Sequence, residues 1–173
     1  MYCDLLKEEV KIKKDGGVKD YPVIAVNTLA EIPKSYVRKE SLRVDYYYQI
    51  SKATKEEEID IIINNLEIGF GVLPDETKTL TNVALLRINL TGTIIKKVEI
   101  FETEVKFLLK VASMNFNLPG LLESIQNFNH HNLVNYKYEN HRESGLNVLL
   151  RSFNVFPSLD LLFSFIKAIK GFI

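Results

Sequence analysis

The chain has 173 residues, 46% hydrophobic and 25% charged, enough for one globular domain with a sizeable core. Its 22 Lys and Arg balance 22 Asp and Glu, so no net field draws it to nucleic acid or to an anionic membrane, and no nucleic-acid partner is expected. The lone Cys3 excludes an intrachain disulfide, and the first residues lack the basic start and apolar run of a secretion signal, so a cytoplasmic location is expected.

Residues 1–40 read as an N-terminal extension. "VKIKKDGGVKDYPVIAV" suggests a small hairpin about Asp15-Gly16-Gly17, where glycine accepts the positive φ of a tight turn. Residues 41–173 read as a single α+β domain. Leu42, Val44, Tyr46, Tyr48 and Ile50 alternate with mostly polar residues, the pattern of a half-buried strand. Ile59, Ile61 and Ile63, then Leu66, Ile68, Phe70 and Val72, suggest a second, with a β-bulge at Asn64-Asn65 where the phase changes. "PDETKT" (74–79) reads as a loop.

Two longer stretches alternate more regularly, "ALLRINLTGTI" (84–94) and "FETEVKFLLKV" (101–111). A turn at Lys96-Lys97 would pair them, setting Ile88 against Val105, Leu86 against Phe107 and Ala84 against Leu109. Beyond Val111 the period becomes helical. "NLPGLLESIQNF" places Asn117 or Leu118 just ahead of Pro119 at a helix start. Residues 133–153 read as a helix broken near Gly145, and "SLDLLFSFIKAIKGFI" as a final helix with Ser158 as N-cap. That helix is short for a membrane span and carries Lys167 and Lys170. The expected fold is a four-stranded antiparallel sheet packed on C-terminal helices.

Few residues suggest chemistry. His130 and His131 are adjacent and diverge, and neither has a second ligand at helical spacing, while His141 in "ENHRES" reads as part of a solvated helix face, so no metal is expected. The Glu56-Glu57-Glu58 run reads as a solvated loop, and the sequon at Asn89 as chance. No phosphate loop, dinucleotide fingerprint or nucleophile elbow occurs. The expectation is a non-enzymatic protein without a cofactor.

A strand of about 13 residues spans ~44 Å at ~3.4 Å per residue, whereas a helix of about 16 residues reaches ~24 Å. The expected sheet therefore keeps an apolar trough, open to a bound chain or to another copy, and a homo-oligomer is favoured. Aromatic side chains suit the rims of such a trough, where a tyrosine hydroxyl stays wet. The candidate polypeptide-binding residues are Tyr46, Tyr48, Phe70, Phe101, Phe107 and Tyr136.

"FPSLDLLFSF" (156–165) resembles the F-P-x-L-x-L segment between the C-terminal helices of the SecB family of export chaperones, and "LVNY" (133–136) is similar to the start of that family's long helix. The order of strands then helices also looks like SecB, over about residues 42–170. The family's Pro-containing continuation and its net acidity are missing. The resemblance implies a chaperone holding unfolded or client polypeptide in an apolar groove, usually as a tetramer. A second reading is a dedicated protein-interaction or immunity-type module from a mobile element or virus. A third is a small-molecule enzyme whose groups converge only in the fold.

Overall fold

The computed structural model describes residues 21–101, 104–110, 117–132, 134–141, 145–152, 159–169 and 171. In chain order these form β1 (Val23–Val26), α1 (Glu40–Lys52), α2 (Glu56–Phe70), α3 (Asp75–Leu90), β2 (Ile95–Ile100), β3 (Glu104–Lys110), α4 (Leu118–Asn132), β4 (Val134–His141), β5 (Gly145–Ser152) and α5 (Leu159–Ile169). They divide into two compact units, one from Thr28 to Asn89 and one made of Asp20–Asn27 with Leu90–Ile173. One division therefore falls within residues 41–173, between Asn89 and Leu90.

The first unit is helical, which corrects the strands expected at 42–50, 59–72 and 84–94. In α1 the buried residues are Arg43 and Ile50, with Tyr46 and Tyr47 half-buried between them. That spacing is the helical one, and Leu42, Val44 and Tyr48 face water. The apparent alternation depended on treating Arg43 as a solvent residue. Instead its guanidinium is buried, donating to the carbonyls of Val37 (2.8 Å) and Arg38 (3.0 Å).

In α2 the buried set is Ile59, Ile62 and Leu66, with Ile63 and Phe70 half-buried. The change of phase at Asn64-Asn65 is the helix turning, and no bulge occurs there. "PDETKT" opens α3, whose buried Thr77, Leu80, Thr81 and Ala84 recur at intervals of three and four. Ile32, Val37, Ile50, Ala53, Ile59, Ile62, Leu66, Leu73, Leu80 and Ala84 form one core cluster.

The second unit holds a five-stranded mixed sheet of order β1-β2-β3-β5-β4. This corrects the four-stranded antiparallel sheet, because β1 runs parallel to β2. The expected hairpin is displaced. Lys96 and Lys97 lie within β2, and the chain reverses between Ile100 and Glu104. Val105, Phe107 and Leu109 are paired with Ile100, Val98 and Ile95 rather than with residues 84–88. Gly92, at φ 80°, lies in the turn between α3 and β2, a left-handed backbone that favours glycine.

The helix expected over 133–153 is instead the antiparallel pair β4 and β5, with Gly145 the first residue of β5. α4 begins as read from the sequence, Asn117 Oδ1 accepting from the Gly120 N–H (3.0 Å). The hairpin about Asp15 and the Ser158 cap lie outside the described residues.

Among the described residues no strand approaches the expected ~44 Å, the longest, β4 and β5, having 8 residues or ~27 Å. β3 has 7 residues, or ~24 Å, against ~22 Å for the 15 residues of α4 and ~16 Å for the 11 of α5. α4 and α5 reach the sheet through Phe165, whose ring lies 4.9 Å from Phe107 and 5.4 Å from Phe128. The trough inferred from a long, half-covered hairpin therefore loses its premise. None of the described helices is long and apolar enough to cross a membrane.

Candidate functional site

The six residues expected to line a polypeptide groove are divided between the two units, Tyr46, Tyr48 and Phe70 in the helical one and Phe101, Phe107 and Tyr136 in the one with the sheet. Tyr46 and Phe70 meet edge to face at 6.3 Å within the helical unit, beside Tyr36, while Tyr48 on α1 points to water. Phe107 is fully buried in the core of the sheet unit, leaving it no surface for a ligand. Phe101 is half-buried with the Lys106 ammonium 5.0 Å above its ring. Tyr136 lies on β4, not on a helix, paired in register with Leu150.

The surface that stands out is the outer face of α2. Ile61 is 60% exposed, Ile68 77% and Val72, just past the helix, 83%. Ile61 and Ile68 are seven residues apart, so at ~100° per residue they fall within ~20° of one another, ~10 Å apart along the axis. Glu57, Asn64 and Asn65 share this face, and Asp60 and Glu67 run down one side of it. From Glu56 to Glu76 the sequence holds seven carboxylates and no Lys or Arg. An apolar centre with an acidic margin results.

The helix bearing this face is held on its inner side and at both ends. Ile59, Ile62 and Leu66 anchor its inner face in the core cluster. At its N-terminus the Glu58 carboxylate accepts from the N–H groups of Thr54 (2.7 Å) and Lys55 (3.2 Å), half of a capping box. Those backbone hydrogen bonds favour the ionised form and hold the Glu58 carboxyl below its ordinary value.

At its C-terminus the chain leaves through Gly71, at φ 89°, whose N–H bonds the Glu67 carbonyl at 2.9 Å. The Tyr36 hydroxyl lies 3.1 Å from the Leu66 carbonyl and 2.7 Å from that of Gly71, serving both with one shared proton. Partial burial, then the nearby Glu67 charge and Tyr46, raise the Tyr36 hydroxyl above the usual tyrosine range. Arg87 of α3 holds the junction of α1 and α2, donating to the carbonyls of Ser51 (2.8 Å), Ile50 (3.0 Å) and Ala53 (2.9 Å). These are the carbonyls that a helix end leaves without intrahelical partners.

Among the described residues no group of His, Cys, Asp and Glu is placed to hold a metal ion. What the α2 face offers is contact area. Burying an Ile side chain fully contributes roughly 1.5–3 kcal/mol, and here most of each side chain still awaits burial. Sequence reading missed Ile61 and Ile68 because period-two counting placed them with Ile59 and Leu66, on a buried sheet face. The helical period separates them.

Fold and surface together define the class: a helical unit with an exposed apolar helix face, followed by a mixed sheet backed by two helices. The TRCF domain model matches residues 26–117, more than half of the chain, and the chain belongs to that family.

It is similar to the transcription-repair-coupling factor of Buchnera aphidicola, 30% identical over 95 residues, which is 51% of this chain and 12% of that protein. The factor of Haemophilus influenzae is likewise 30% identical over 95 residues, 51% of this chain and 8% of that protein. That of Rickettsia conorii is 25% identical over 92 residues, again 51% of this chain and 8% of the relative. The chain thus spans about a tenth of these relatives' lengths. Among solved structures, the C-terminal domain of a transcription-repair coupling factor superposes with a TM-score of 0.71 at 12% identity, covering 90% of this chain and 97% of that one.

These findings replace the SecB resemblance. The family match lies mainly in the helical unit, whereas the SecB likeness drew on residues 133–136 and 156–165. The expected self-associating chaperone with unfolded clients falls with it, as does the mobile-element or immunity reading. So does the exclusion of nucleic acid, since the relatives are named for transcription and repair, both carried out on nucleic acid.

Proposed function

We propose that this chain serves in the coupling of transcription to repair as a non-catalytic docking domain, and that it does so in the cytoplasm through the outer face of α2. The observation that carries the proposal is the pair Ile61 and Ile68, with Val72 just past the helix end, exposed on a helix whose opposite face and both ends are held. Membership of the TRCF family supports the process. The local geometry supports the mode: a preordered apolar strip loses little conformational entropy on contact, so most of the burial counts toward affinity.

The test is a double variant, Ile61→Ser with Ile68→Ser, introduced into the cell that makes the protein. Repair of the transcribed strand should slow to the rate of a strain lacking the chain, while the purified variant keeps the parent's circular dichroism and melting temperature. Unchanged strand-specific repair in the double variant would refute the role of this face. Unchanged repair in the deletion strain would refute the process itself.

A further inference from the structure

We draw no further inference here: the strongest candidate outside the α2 face, the exposed Val44–Tyr48 stripe on α1 with the Lys52 ammonium 5.4 Å over the Tyr48 ring, carries nothing because nothing in the structure shows what covers it.

Discussion

Ile61 and Ile62 are neighbours in sequence and opposites in environment, 60% and 5% exposed. Truncating Ile62 to alanine removes three buried carbons, ~2.4 kcal/mol at ~0.8 kcal/mol each, and the cavity left behind adds ~1 kcal/mol. The expected loss is therefore about 3–4 kcal/mol. Ile61→Ala gives up only the covered part of the same side chain, ~1 kcal/mol, and alanine's better helix propensity returns ~0.4 kcal/mol. A net effect near ~0.5 kcal/mol is expected. Native-state hydrogen exchange of the α2 amides reads both variants without requiring the two units to unfold together. Equal losses, or a larger loss for Ile61→Ala, would show that the inner and outer faces of α2 are wrongly assigned. The docking proposal would fall with them.

Arg87→Met should destabilise the helical unit by about 2–3 kcal/mol, because three carbonyls at the end of α1 lose a charged donor. Arg87→Lys should recover part of this, and urea unfolding compares the two. In the sheet unit Phe165→Ala should cost about 3–5 kcal/mol, since its ring bridges Phe107 and Phe128; exchange protection of the β3 amides reports it. Glu58 has its folded-state pKa depressed, so its contribution is present above the ordinary glutamate value and is lost as pH falls through the folded one. A series of melting temperatures from neutral to acid pH should therefore fall less steeply for Glu58→Gln than for the parent.

Legibility in the sequence followed packing geometry. The start of α4 was readable because Asn117 and Pro119 are local signals that need no tertiary partner. α5 was readable because its apolar residues run too long and too continuously for a half-buried strand. Val105, Phe107 and Leu109 do share a buried face, so that alternation was real although its partners were misplaced.

The helical unit misled for a compositional reason. "VDYYYQI" and "IDIII" are rich in β-branched and aromatic residues, whose strand preference is weak and is overridden by tertiary context. In α1 the buried polar Arg43 also stood where a helix pattern wants an apolar residue. The β4–β5 pair was hidden differently. "VNYKYENH" and "GLNVLLRS" carry enough polar residues to imitate an amphipathic helix. The α2 face could be found only after that segment was recognised as helical, since only at that period do Ile61 and Ile68 part from Ile59 and Leu66.

The parallel pairing of β1 with β2 bears on how the polypeptide emerges from the ribosome. Between Val26 and Ile95 lie roughly 70 residues that contain the whole helical unit, so at ~5–20 residues per second β1 waits ~4–14 s for its neighbour. During that interval three helices can already collapse around their own apolar centre, before the sheet exists. Cutting the gene just ahead of Thr28 to express the remainder would strip the sheet of a strand that belongs to it, and a workable truncation has to begin upstream of Val23.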